Sequence, residues 1–125
     1  MKKLLLLILL ATVVSCKKDS PKDPLYPESE TVQTPVQLGQ ELFDGAGNCF
    51  ACHKPDQKVI GPSIAEIARI YKEKNGNMVS FLKGNEDPIV DPALFETMKT
   101  NFAITKKMSD EQLKAIEAYI YSHLK

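Results

Sequence analysis

One short motif constrains this chain more than any other feature: Cys49, Cys52 and His53 lie within five residues as C-x-x-C-H. The spacing places two thiols on one turn of chain, with an imidazole directly beside them. Sulfur and nitrogen donors of this kind hold soft metals and redox cofactors in proteins. Because the chain has only three cysteines and two histidines in 125 residues, most of its capacity for such binding is concentrated here.

The motif is the sequence that attaches c-type haem. Two thiols three residues apart can reach the two vinyl groups on one side of a porphyrin, and the adjacent imidazole then lies under the iron as its proximal ligand. A thioredoxin-like dithiol would follow a strand of an α/β sheet, which this sequence does not indicate. A zinc site would need further ligands, for which only His123 remains. A disulfide between Cys49 and Cys52 is the third alternative. Haem is favoured, because its attachment uses all three residues of the motif.

The chain begins with two lysines and an apolar run of 11 residues, Leu4 to Val14. A helix of that length rises about 16 Å, too little for a hydrocarbon core of about 30 Å. Basic residues before a short apolar run are typical of a signal peptide. The sequence Val13-Val14-Ser15-Cys16 resembles a bacterial lipoprotein signal, in which the peptidase cuts before the cysteine. We expect residues 1–15 to be removed and Cys16 to carry lipid; a secretory cleavage site with an unmodified Cys16 is the alternative.

Residues 16–35 contain four prolines and few apolar groups, a composition typical of a tether. Residues 36–125 are then the one folded domain, in agreement with the length of the chain. Removal of residues 1–15 takes away Lys2 and Lys3 and no acid, so the formal charge changes from zero to −2. Nucleic-acid binders usually carry a basic excess, so the charge argues against that class.

Helix-start signals punctuate residues 36–125, with little strand alternation. They predict an all-α fold of about five short helices. Three helices open with capping boxes at Thr34, Ser63 and Ser109, and two shorter ones are predicted over residues 78–82 and 91–97. Such a core is small for one domain, so a further group is expected to complete it.

Over about residues 36–125 the chain resembles the class I, single-haem bacterial cytochromes c. Four features carry the resemblance, in the order of the family. They are a first helix with Gly39 and Phe43, the motif Cys49–His53, Gly61-Pro62 eight residues after the histidine, and a methionine before a last helix beginning Ser109-Asp110-Glu111-Gln112-Leu113. The resemblance implies the class I cytochrome c fold, with the helices wrapped around one covalently attached haem c and its iron.

The resemblance also implies a role for individual residues. Cys49 and Cys52 would form thioethers to haem, and His53 would be the proximal iron ligand. The carbonyl of Pro62 would accept a hydrogen bond from the other ring nitrogen of His53, fixing its tautomer. Gly39 would let the first helix approach the last one closely.

Four methionines compete for the sixth position on the iron, and the first of them lies in the leader. Met78 lies inside a predicted helix and is interpreted as a core residue. Met108 precedes the Ser109 cap, where it forms a hydrophobic staple with Leu113. Met98 opens a polar loop before the last helix, the place where the family has its ligand, although Lys99 follows where many relatives have proline. We therefore predict Met98 as the ligand. The alternatives are Met108, Met78, His123 and an open site.

If protein side chains fill both axial positions, the iron keeps no site for substrate and cycles between Fe(III) and Fe(II). His/Met ligation raises the reduction potential relative to His/His. The sequence thus predicts a monomeric electron carrier rather than an enzyme, anchored by lipid at the periplasmic side of a bacterial membrane. Its expected donor is a respiratory complex or dehydrogenase, and its acceptor an oxidase or reductase. The alternatives are a dedicated subunit, a sensor or enzyme with a labile sixth ligand, and a haem-free lipoprotein.

Lysines follow the motif and flank Met98, and we interpret them as a ring that steers the domain to acidic partners. A scatter of solvated lysines is the alternative. The residues are Lys54, Lys58, Lys99, Lys106 and Lys107.

Overall fold

The computed structural model describes residues 33–125, so the predictions for the leader and for Cys16 lie outside the described residues. Within this range the chain forms six α-helices, two short 3₁₀ helices and no strand. The α-helices are α1 (Pro35–Asp44), α2 (Ile64–Lys74), α3 (Met78–Leu82), α4 (Phe95–Lys99), α5 (Phe102–Thr105) and α6 (Asp110–Tyr121), and the 3₁₀ helices are Cys49–Ala51 and Pro92–Leu94. The predicted all-α fold is confirmed, with six helices rather than about five.

The helix starts follow their local sequence signals. Thr34, Ser63 and Ser109 each accept a hydrogen bond from the backbone N–H three residues further on. In α1 and α6 the glutamine at that third position also returns a bond to the backbone of the cap, so both capping boxes are complete. At the other end of α2, Asn75 ends the helix in the left-handed conformation, with φ of 50°.

The segment between α3 and α6 differs from the prediction. Met98 does not open a polar loop: it lies inside α4, and α5 follows directly. The physical reason is long-range anchoring to α3: in α4 the ring of Phe95 lies 6.2 Å from that of Phe81, and in α5 Phe102 packs edge-on against Phe81 at 5.5 Å between ring centroids. The buried Thr105 hydroxyl also donates to the carbonyl of Leu82 at 2.6 Å. These contacts hold a helix for which the local sequence carries no capping signal.

Helices α1 and α6 cross at Gly39. A methyl group on Gly39 would overlap the backbone carbonyl of Ala115 and lie 2.8 Å from Cβ of Tyr119. One turn further along α1, the rings of Phe43 and Tyr119 are 5.2 Å apart. The prediction that Gly39 allows a close approach of the first and last helices is confirmed.

We expect Gly39→Ala to destabilise the protein, because the added methyl forces α1 away from α6. Overpacking of a closed interface costs about 1–3 kcal/mol, and the upper end applies where the obstacle is backbone. Thermal or denaturant unfolding of the haem-containing protein measures the change. Gln40→Ala is the matched control on the exposed face of α1, and equal stability of the two variants would contradict the proposed close crossing.

Helices α2 and α3 complete the core around α6. They contribute Ile64, Ala68, Tyr71, Met78 and Leu82, all of which are buried. An ion pair between Lys83 and Asp110 joins the end of α3 to the start of α6. Between residues 33 and 125, no helix has both the length and the apolar character that a membrane span requires. The buried side chains of α2, α3 and α6 form the floor of the cavity described next.

Candidate functional site

One cavity brings together the chemically important side chains of the chain. It encloses about 1170 Å³, its open mouth included. Its wall is mainly apolar, with Phe43, Tyr71, Met78, Phe81, Leu82 and Ile116 among the lining residues. The same cavity is lined by Cys49, Cys52 and His53 on the motif and by Met98 on α4. Two thiols, an imidazole and a thioether thus share one apolar space.

The two cysteines lie on a single tight turn. The backbone N–H groups of Cys52 and His53 both donate to the carbonyl of Cys49, at 3.1 and 3.0 Å. Asn48 enters this turn in the left-handed conformation, with φ of 51°, which asparagine tolerates better than most residues. Burial raises the pKa of the Cys49 thiol to about 11, with a smaller contribution from Asp44. Before any haem is attached, Cys49 is therefore a neutral thiol at physiological pH, and Cys52 is half-buried beside it.

His53 is fixed through one of its ring nitrogens. Nδ1 lies 2.8 Å from the carbonyl oxygen of Pro62, which can only accept, so Nδ1 carries the proton and donates. Burial lowers the pKa of His53, while the bond to Pro62 opposes this shift. The ring is therefore held neutral, with the lone pair of Nε2 available to a metal. This contact with Pro62 is the one that the resemblance implies.

Gly61 leaves the space that the His53 ring occupies. A methyl group at Gly61 would lie 2.6 Å from Cε1 and 2.9 Å from Nδ1 of His53. The Gly61 N–H also donates to the carbonyl of Cys52 at 2.9 Å, which binds this loop to the motif. In the sequence Gly61 is only one feature of the family order, whereas in the structure any larger residue at this position would displace the imidazole.

The competing sixth ligands have different surroundings. Met98 is half-buried in α4 and lines the same cavity as His53. Met78 also lines it but is only 2% exposed within the core. Met108 packs against the core and is not among the lining residues. His123 lies outside the lining as well, with Nδ1 3.1 Å from the carbonyl oxygen of Tyr119.

Two further residues near Met98, Asp91 and Asn101, belong to this site, although the sequence did not indicate them. Asp91, which lines the cavity, pairs with Lys58 at 2.8 Å. The side-chain amide of Asn101 donates to the carbonyl of Gly47 at 3.1 Å. Their partners are 33 and 54 residues away in sequence, so no local pattern could have indicated them.

Most of the lysines that we interpreted as a docking ring contact other side chains of the same domain. Lys58 is neutralised by Asp91. Three others lie over aromatic rings: Lys54 over Phe50, Lys99 over Phe95 and Lys106 over Phe102, at 4.9, 5.8 and 5.5 Å from the ring centroids. These contacts account for the positions of the three side chains without a partner protein, and the steering role stays a prediction.

The donor set fits a c-type haem. Paired thiols on one turn, a neutral imidazole with Nε2 available, and a thioether on a separate helix are the groups that such a haem uses. A zinc site requires a group of at least three His, Cys, Asp or Glu side chains placed to hold the ion. Residues 33–125 contain no such group. The apolar wall suits a porphyrin and not a hydrated ion.

Comparison with known proteins agrees with the chemistry of the cavity. A search of curated proteins finds no match to the chain. The family model described as Cytochrome c matches residues 36–123, most of the chain and all of the region around the cavity. This family binds haem c covalently, with its iron, and generally transfers electrons. The chain therefore belongs to the cytochrome c family and is a c-type, haem-based electron carrier.

Proposed function

We propose that this chain is a class I, single-haem cytochrome c whose iron is held by His53 and Met98 and whose haem is attached through Cys49 and Cys52. The observation that carries the proposal is that these four side chains line one apolar cavity. Haem bound there supplies reversible one-electron chemistry between Fe(III) and Fe(II). With His53 and Met98 both bound, the iron would keep no site for substrate, and we therefore propose that the protein transfers electrons and is not an enzyme.

The chain's own residues tune that chemistry. Pro62 holds the Nδ1 proton of His53, which increases the basicity of Nε2. The neutral thioether of Met98 favours Fe(II) and raises the reduction potential. Phe43, Tyr71 and Ile116 contribute apolar surface that excludes water from the cavity. Because a low dielectric disfavours the additional positive charge of Fe(III), this wall raises the potential in the same direction.

We further propose that the protein is exported and works as a monomer, anchored by lipid at the periplasmic side of a bacterial membrane. The support is the basic and apolar leader, the cysteine that follows it at Cys16, and the proline-rich residues between Cys16 and the start of α1. In an extended conformation, a tether of this length reaches roughly 50–60 Å at about 3.1 Å per residue. That reach lets the domain move between a respiratory complex or dehydrogenase as donor and an oxidase or reductase as acceptor.

We expect Cys16→Ser, produced behind a general secretory leader in place of residues 1–15, to move the protein from the membrane fraction to the soluble fraction. The substitution removes the lipid, and no other feature of the tether is apolar enough to replace it. Haem content should stay unchanged, because Cys49 and Cys52 are intact. Cell fractionation with a haem stain on denaturing gels measures both properties. A wild-type protein found only in the soluble fraction would contradict the proposed anchor.

The electron-carrier proposal is tested on the wild-type protein made in cells that have c-type maturation machinery. Haem should stay with the polypeptide on denaturing gels, and a redox titration followed by absorbance should show one reversible one-electron transition. A polypeptide without haem on such a gel would favour the haem-free lipoprotein. A transition of more than one electron would contradict a single-haem carrier.

A further inference from the structure

The helix that carries Met98 has few apolar anchors. It is five residues long and none of its residues is fully buried. Two of its side chains make apolar contacts. The ring centroid of Phe95 lies 6.2 Å from that of Phe81 and 6.1 Å from that of Phe102, and Met98 is half-buried against the core. Segments with so little buried surface open locally at a low cost in free energy. The position of Met98 therefore depends on other contacts of this segment as well as on its own packing.

Two polar contacts hold the segment that contains α4, one on each side of the helix. Before the helix, the carboxylate of Asp91 pairs with Nζ of Lys58 at 2.8 Å. After it, Asn101 donates to the carbonyl of Gly47 at 3.1 Å. Gly47 precedes Cys49 by two residues and Lys58 follows His53 by five. The segment with Met98 is thus tied at both ends to the flanks of the segment that carries the haem motif.

The ion pair is the more distinctive of the two contacts. The Asp91 side chain is only 21% exposed, whereas that of Lys58 is 57% exposed. The other ion pair of this segment joins Lys99 to Glu96 at 3.5 Å. Both residues lie within α4, so this pair does not connect α4 to another part of the chain. Among the ion pairs of residues 33–125, Lys58–Asp91 alone joins the loop after His53 to the segment before Met98.

We propose that the Lys58–Asp91 ion pair is a latch that positions Met98, because it holds the start of the α4 segment against the loop beside His53. When the ion pair opens, α4 would separate more readily from the loop beside His53. Met98 would then leave the iron more often. Lys58 and Asp91 are therefore positioning residues: they set the lifetime of the Met98 bond without touching the iron. This inference rests on the proposed ligation by His53 and Met98.

Imidazole binding to the oxidised holoprotein tests the latch, since added imidazole can bind only after Met98 has left. Asp91→Asn and Lys58→Gln should each raise the apparent affinity for imidazole roughly two- to five-fold, the range expected for a partly exposed ion pair. The double variant should resemble the single ones, because both remove the same interaction. Glu73→Gln is the control: it breaks the Arg69–Glu73 pair on α2 and should change nothing.

The dependence of imidazole affinity on salt concentration distinguishes the ion pair from a merely structural role of Asp91. Higher ionic strength should raise imidazole affinity in the wild-type protein, because it screens the pair, and should have little effect in Asp91→Asn. An equal salt response in both proteins would overturn the latch. So would an unchanged imidazole affinity in both single variants.

Amide hydrogen exchange separates this proposal from the assignment of Met98. Exchange at Lys99 and Asn101 should be roughly two- to five-fold faster in Asp91→Asn than in the wild-type protein, with α6 unchanged. That result reports the latch whether or not Met98 binds iron. Equal exchange rates in the two proteins would overturn the latch, whereas a failure of the ligand assignment would show in the spectrum of Met98→Ala.

Discussion

Replacement of Cys49 and Cys52 together by serine is expected to leave the domain without stable tertiary structure. We expect haem to complete the core, because the cavity proposed to hold it is walled by Phe43, Tyr71 and other large apolar side chains. Without haem, this wall must either face water or collapse. Small domains have total stabilities of about 5–15 kcal/mol, so loss of the largest apolar group in the core removes most or all of it.

Circular dichroism during heating measures the effect. The wild-type holoprotein should unfold in one cooperative transition, and the double serine variant should show none. Cys16→Ser is the matched control, because it also removes a cysteine but should leave haem and stability unchanged. A cooperative transition and a native-like near-ultraviolet spectrum in the double variant would contradict the view that haem is required for the fold.

Met98→Ala is expected to have the largest effect on the redox chemistry. It should abolish the sulfur-to-iron charge-transfer band of the oxidised protein, because no thioether then reaches the iron. The reduction potential should fall by on the order of 100 mV, since thioether ligation favours Fe(II) and axial ligands set haem potentials over a span of about 0.8 V. Absorbance spectroscopy and a redox titration of the same sample measure the two changes.

Two other methionines provide matched controls. Met78→Ala removes a side chain that lines the cavity but lies in the core, and it should lower the free energy of unfolding by about 2–5 kcal/mol. Met108→Ala removes the half-buried staple residue and should cost less. Both variants should keep the charge-transfer band. Loss of the band in either of them, with the band intact in Met98→Ala, would show that the ligand had been assigned to the wrong residue.

The parts of the fold that sequence predicts well are those held by local contacts. Thr34, Ser63 and Ser109 each bond to an N–H only three residues away, so the pattern that predicts the helix start also forms it. The C-x-x-C-H turn is local in the same way, because the N–H groups of Cys52 and His53 donate to the carbonyl of Cys49, three and four residues earlier. The binding of c-type haem could therefore be predicted from the sequence of the motif.

The surroundings of Met98 could not be predicted from local sequence patterns. The position of α5 depends on Phe102 against Phe81 and on the Thr105 bond to Leu82, which are contacts between distant parts of the chain. The ties from Asp91 and Asn101 to the flanks of the haem motif are longer in sequence still. A polar composition around Lys99 and Thr100 predicted a loop, because it carries no sign of these partners.

The spectrum of the oxidised wild-type holoprotein tests most directly whether side chains of the protein occupy both axial positions of the iron. Ligation by His53 and Met98 predicts a low-spin ferric spectrum with a sulfur-to-iron charge-transfer band, and no binding of carbon monoxide after reduction on the timescale of mixing. A high-spin ferric spectrum without that band, together with rapid binding of carbon monoxide, would contradict it. That result would indicate an open sixth site and a haem sensor or enzyme in place of an electron carrier.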